Sequence, residues 1–228
     1  MSGAGLNALH LQYLAFGALW TIGLSLIAFI GGGVAGGLVA LCRVSPNRLV
    51  RWLAIAWIQL IQGTPLLVVL FVSYFGLSIA GLELPALVAA GLSMVIYVSA
   101  YLGEIWRGCI EAVPKTQWEA AECLALTRAQ RMRLVILPQA VRIATPPTVG
   151  FMVQIVKNTS LASIVGFVEL VRTGQLINNS IFMPFQVYLL IALFYFAICF
   201  PLSVWSRKLE QRLHFGNRPL ANKTLAQP

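Results

Sequence analysis

The chain has 228 residues, of which 59% are hydrophobic and only 10% charged, and its mean hydropathy is +0.82. A soluble globular domain carries about 25% charged residues, and a disordered chain has little apolar surface to bury, so both classes are excluded and an integral membrane protein remains. The net charge of +9 comes from 16 Lys and Arg against 7 Asp and Glu. The basic residues cluster at the ends of apolar runs, which makes the excess a topology signal and not a nucleic-acid surface.

A spanning helix needs about 20 largely apolar residues. The first predicted span covers residues 15–41. Its apolar run is too long for a cleaved leader, so it is expected to stay in the membrane. Gly32 with Gly36, and Gly33 with Gly37, each form a G-x-x-x-G, a spacing that lets a second helix backbone approach closely. The second span, residues 53–77, is interrupted by Gln62-Gly63-Thr64-Pro65. Pro65 lacks a donor and predicts a break or kink. Such a break is tolerated only against protein or a cavity. Gln62, Thr64 and Pro65 are therefore candidates to line a solute pathway, with a packing kink as the alternative.

The third span, residues 84–105, ends near Tyr101, Glu104 and Arg107. Glu104 is spaced to pair with Arg107, or to meet a solute or act in gating. The fourth, residues 144–165, contains Pro146, Pro147 and Lys157. A charge at that depth should face the bundle interior or a polar cavity. Lys157 then either contacts a solute carboxylate or has an internal partner such as a carbonyl or Glu169, unless the span boundary is displaced and it snorkels. Asn158, Thr159, Ser160 and Ser163 beside it line one face or hydrogen-bond across helices. The fifth span covers residues 185–205. Trp52, Trp106 and Trp205 fall at span ends and read as interfacial anchors.

Five spans put the termini on opposite sides. All of the 16 Lys and Arg except Lys157 and Arg172 then share one side with the C-terminus, which makes that side cytoplasmic and leaves the N-terminus outside. The chain divides into an external segment 1–14, a membrane domain 15–207 containing a cytoplasmic loop 108–142, and a cytoplasmic tail 208–228. The 4 cysteines form no C-x-x-C pair, and the 2 histidines lie near opposite ends, so neither a disulfide framework nor a metal site is expected.

The loop residues 111–142 read EAVPKTQWEAAECLALTRAQRMRLVILPQAVR. Thr116 with Glu119, and Thr127 with Gln130, have capping-box spacing. They predict two short helices, 117–126 and 128–137, the second ended by Pro138. The small side chains Ala120, Ala121 and Ala125 allow a partner to dock closely, with a cap on the chain's own bundle as the plainer reading.

This stretch resembles the EAA loop of membrane permease subunits of ATP-binding-cassette importers. Glu119-Ala120-Ala121 and Leu137-Pro138 match at the family spacing, while Ala125 and Val135 stand at positions of Gly and Ile. Gly63-Thr64-Pro65-Leu66-Leu67, Tyr101-x-x-Glu104-Ile105-x-Arg107-Gly108, Val113-Pro114-Lys115-x-Gln117-Trp118-Glu119, Val156-Lys157-Asn158-Thr159-Ser160-Leu161 and Glu169-Leu170 are similar to elements of the polar amino-acid uptake branch, the histidine, glutamine, arginine and glutamate permeases. Gln62 and Val69 depart from its usual Arg and Gln. The resemblance covers about residues 15–210.

It implies an all-α, MetI-like type I importer fold with five transmembrane helices and a cytoplasmic coupling helix. It also implies a homodimer or a heterodimer with a similar permease, two ATPase subunits, and an extracytoplasmic amino-acid-binding protein, all in or at a bacterial inner membrane and its lipid. Trp118, Glu119, Ala120, Ala121, Ala125, Leu126 and Pro138 would form the ATPase-coupling surface. ATP and Mg²⁺ belong to the partner, since this chain has no G-x-x-x-x-G-K-[ST] phosphate loop and binds no cofactor itself. It is not expected to be an enzyme. The rival readings are an ATP-independent secondary transporter or homo-oligomeric channel for small polar solutes, a membrane enzyme, and an assembly subunit.

Overall fold

A computed structural model describes residues 6–216; Arg218 and Lys223 of the expected basic tail lie outside the described residues. Among the described residues, four helices are long and apolar enough to cross a membrane, and one sharply bent pair meets the same length and composition only when its two helices are taken together.

Helix α1 (Ala8–Arg43) starts well before the expected residue 15, because Asn7 caps it. The Asn7 side chain accepts from the His10 amide at 3.0 Å, and the Asn7 amide donates to His10 Nδ1. Helix α2 (Arg48–Gln62) is capped by Asn47. The chain then turns by 100° into a second arm, Leu66–Ile79. That arm comprises α3 (Leu66–Phe71), a π-helical stretch Val72–Gly76, and α4 (Leu77–Ile79). The expected second span is thus two arms at a sharp angle. The bend is made where Pro65 cannot continue the ladder and where Thr64 Oγ1 donates back to the Leu60 carbonyl at 2.8 Å.

Helix α5 (Ala86–Glu111) is the central element. It packs along α1 at a seam of small residues. A Cβ added to Gly32 would lie 2.4 Å from Val98 Cγ1, and one on Gly103 2.7 Å from Val39 Cγ1. A Cβ on Gly36 would lie 3.1 Å from the Ser99 carbonyl oxygen and 3.2 Å from the Gly103 amide nitrogen, both backbone atoms. Gly33 and Gly37 look instead toward the Trp106 ring at ordinary contact distance. Only the Gly32/Gly36 pair makes the backbone approach, so the two overlapping G-x-x-x-G motifs are not equivalent. The core around this seam contains Leu24, Ala28, Leu70, Met94, Val98, Leu102 and Ile155.

The segment after α5 forms α6 (Lys115–Cys123) and α7 (Arg128–Gln130). The expected cap at Thr116 is corrected: Pro114 occupies the cap position, with no side-chain bond, because its fixed φ suits a helix start. The second capping box is present, with Thr127 and Gln130 bonded reciprocally. Pro138 does not end the following helix. The chain runs from α7 through a π-helical stretch, Arg131–Ile136, into α8 (Leu137–Asn158). Pro138 falls directly after the π-helical stretch, a local irregularity of the ladder at which a proline is accommodated. The helix that carries the fourth apolar run therefore begins near Arg128 and not at residue 144. It continues past Pro146 and Pro147 into a 3₁₀ turn, Thr159–Val165, and stops at Gly166 with φ +86°. Helix α9 (Leu170–Ile181) leads to α10 (Pro184–Gly216). Trp106 is inside the bundle, where its indole donates to Thr148 Oγ1 at 2.8 Å, while Trp52 and Trp205 are exposed as expected of anchors.

Candidate coupling loop and translocation face

Helix α6 ends in a Schellman closure. The Leu126 amide donates to the Ala121 carbonyl and the Ala125 amide to the Glu122 carbonyl, which satisfies carbonyls the helix end would leave open. The closure needs a left-handed residue, and Ala125 supplies it at φ 56°. The left-handed region costs an L-residue about 1–2 kcal/mol that glycine avoids, so alanine at this position strains the joint.

The loop is anchored from within. Val113, Ile110, Ile136 and Ala140 form a small core against which Trp118, Met132 and Val44 pack. Arg131 pairs with Glu122 at 3.0 Å, and Gln139 Nε2 donates to Gln117 Oε1 at 3.3 Å. Ala121 is buried in the chain itself, so it supports the knob and offers no partner surface. Glu119, Ala120, Ala125 and Pro138 are exposed, while Trp118 and Leu126 are half-buried.

Next to the loop, at the ends of α1 and α5, lies an ion network. Glu104 accepts from Arg107 at 2.6 Å and from Arg43 at 3.5 Å, and Arg107 also bonds Glu111. The expected Glu104–Arg107 pair is present; Arg43, 61 residues away from Glu104, is an addition that linear spacing could not reveal.

One turn earlier on α5, Tyr97 and Tyr101 lie with ring centroids 4.4 Å apart, and Tyr101 stacks on Phe151 of α8 at 5.6 Å. On α8, Gln154 and Lys157 are exposed and Asn158 is half-buried. Gln154 donates to Asn158 Oδ1 at 3.0 Å. Lys157 carries no ion pair among the described residues. Ser160 is half-buried and donates to the Lys157 carbonyl at 2.8 Å. Thr159 and Ser163 are buried in the chain's own packing, with their hydroxyls on the Val156 and Ser160 carbonyls. Gln62 and Pro65 are exposed at the bend and Thr64 is half-buried. An apolar cavity of about 580 Å³ between α1, α5, α8 and α10 is lined by Gly37, Trp106, Ala140, Ala144, Thr148 and Trp205 among others. It takes in none of these polar residues.

Glu169 is fully buried and is not the partner of Lys157. Its carboxylate accepts from Tyr195 Oη at 3.1 Å and Thr21 Oγ1 at 3.3 Å, and caps α9 through the Arg172 amide at 2.9 Å. Thr21 also accepts from the Leu170 amide at 3.2 Å. One carboxylate thus fastens α9 to α1 and α10. Burial raises its pKa above the usual glutamate value, against the pull of these hydrogen bonds. Its signals in the sequence were its isolation, as the sole acidic residue between Glu122 and Glu210, and its place in the Glu169-Leu170 element. Among the described residues, no group of three or more His, Cys, Asp or Glu could hold a metal ion.

The family described as "Binding-protein-dependent transport system inner membrane component" matches residues 32–215. The probable amino-acid ABC transporter permease protein YckA of Bacillus subtilis (strain 168) is 38% identical over 200 residues, covering 88% of each chain. The probable glutamine ABC transporter permease protein GlnM of the same organism is 39% identical over 189 residues, covering 83% of this chain and 88% of that one. Among solved structures, an amino acid ABC transporter crystallised with histidines superposes with TM-score 0.85 at 32% identity, covering 91% of this chain and 99% of that one. The inward-facing MetNI methionine ABC transporter shares the fold at TM-score 0.70 and 16% identity, over 90% of this chain and 99% of that one. A multi-span helical bundle with a helical knob at its basic end, matched over this length, belongs to the binding-protein-dependent transport system inner membrane components, the membrane permeases of ABC transporters.

Proposed function

We propose that this chain forms half of the translocation pathway of an ATP-driven amino-acid importer in a bacterial inner membrane. It pairs with a second copy or a similar permease. Two ATPase subunits dock at the coupling loop, and an extracytoplasmic binding protein delivers the amino acid. The N-terminus is outside and the C-terminus, with the 108–142 loop and the tail from 208, cytoplasmic; the membrane domain spans 15–207. The observation that carries this reading is α6, a short helix held on its own core with Glu119 and Ala120 exposed.

The partner supplies ATP and Mg²⁺ and does the hydrolysis. The permease contributes two packings that differ by a few kcal/mol, one of them favoured when the partner closes. The pathway is formed by exposed or half-buried groups: Gln62, Thr64 and Pro65 at the bend, Tyr101 and Glu104 on α5, and Lys157, Asn158 and Ser160 on α8. Thr159 and Ser163 shape that wall from behind. Support for a polar amino acid comes from the relatives named above, and the delivery protein sets much of the selectivity.

The test is Glu119→Lys. Membrane insertion is expected to be normal and co-purification of the ATPase subunits weakened; unchanged co-purification refutes the docking surface. Uptake of labelled L-glutamine, L-glutamate, L-histidine and L-arginine into proteoliposomes tests the rest. Uptake that persists when hydrolysis is blocked would favour an ATP-independent channel.

A further inference from the structure

The first residue of α7 is Arg128. A cation is unfavourable at a helix N-terminus, and here it opens a helical run that extends to Val165. The guanidinium is directed elsewhere. Its Nη2 donates at 2.9 Å to the carbonyl of Val44, 84 residues away. Val44 is the C-cap of α1, where open carbonyls and the negative end of the helix dipole favour a cation. The Val44 side chain packs into the coupling-loop core with Trp118 and Ile136. One residue earlier, Arg43 reaches Glu104 of α5.

These contacts join α6, α7, α1 and α5 at one end of the bundle. The Gly32/Gly36 seam then continues the α1–α5 pair into the membrane. The covalent link from the loop into α8 is of another kind. It passes through the π-helical stretch Arg131–Ile136 and past Pro138, with Pro146 and Pro147 further along, where a helix bends readily.

We propose that Arg128 is a positioning residue for energy coupling: by gripping the Val44 carbonyl it makes the α1–α5 pair move with the coupling loop, while α8 flexes at its π stretch and prolines. This rests on the proposed docking of an ATPase at α6, and it acts after docking.

The test uses the whole complex in proteoliposomes, with Arg128→Ala and Arg128→Lys, and a mixture of labelled L-glutamine, L-glutamate, L-histidine and L-arginine as the probe. R128A is expected to co-purify with its ATPase subunits and to unfold at an unchanged temperature. Amino acid moved per ATP hydrolysed should fall about fivefold, the lower end of the range for coupling between sites. R128K, which keeps a donor at the end of a long cationic side chain, should recover most of the ratio. An intact R128A complex with a normal ratio overturns the proposal. So does an R128A complex that fails to assemble while R128K assembles with the same low ratio as a charge-neutral Arg128→Gln complex. The Glu119→Lys arm separates the two claims, since a normal ATPase complex there defeats the docking surface itself.

Discussion

Replacing Glu169 by alanine removes the acceptor that joins α1, α9 and α10. The Arg172 amide loses its cap, worth about 1 kcal/mol. The Thr21 and Tyr195 hydroxyls, which bond the carboxylate at 3.3 and 3.1 Å, are left short of an acceptor in a buried site, at about 1–3 kcal/mol each. These contributions overlap, because Thr21 also bonds the Leu170 amide. The expected loss is about 3–5 kcal/mol, a large part of a typical 5–15 kcal/mol stability. Glu169→Gln keeps the shape and one acceptor oxygen and should lose about 1–2 kcal/mol. Thermal unfolding of the purified permease complex in detergent measures both. Tyr195→Phe combined with E169A should be strongly non-additive, as for groups in one network. An E169A stability within about 0.5 kcal/mol of wild type, the range of an unremarkable surface change, refutes the clamp. The pH dependence is a separate check. Burial holds the Glu169 carboxyl above the usual range, so the native state keeps its proton to higher pH than the unfolded chain. The associated stability is complete below the ordinary glutamate pKa of about 4.3 and is lost as pH rises through the native value. Wild type should therefore lose stability relative to E169Q as pH rises across that window, and a flat difference would contradict it.

Gly32→Ala places a Cβ against Val98 and should cost about 1–3 kcal/mol by overpacking. Gly33→Ala, facing Trp106 at 3.7 Å, should stay within about 0.5 kcal/mol, and paired unfolding curves compare the two. Ala125→Gly relieves the left-handed strain at the end of α6 and should slow amide exchange in that helix by about fivefold, for a gain of about 1 kcal/mol. Glu104→Gln leaves Arg43 and Arg107 without their shared carboxylate and should cost about 1–3 kcal/mol, read by thermal unfolding.

Much of the architecture was legible in the linear chain. A membrane forces every span to satisfy its own backbone, so apolar run length revealed the long helices and Pro65 the break in the second. The Thr127 box and the Glu104–Arg107 pair join residues within one helical turn, and both are present. The errors were also local: Thr116 yielded to Pro114 as the cap, and Pro138 did not end its helix, because the π-helical stretch before it carries the chain on into α8.

Tertiary structure alone decided which groups meet across the bundle. It chose the Gly32/Gly36 seam over its overlapping neighbour, buried Ala121, brought Arg43 to Glu104, and set Glu169, 148 residues from Thr21, on two hydroxyls instead of on Lys157. It also showed that Ala125 is left-handed. Chain order specifies each helix through contacts three or four residues apart, but helix rotation and pairing emerge from close packing between distant faces. The membrane class and its spans therefore followed from composition and run length, whereas the polar network and the mechanical ties between loop and bundle required the folded arrangement.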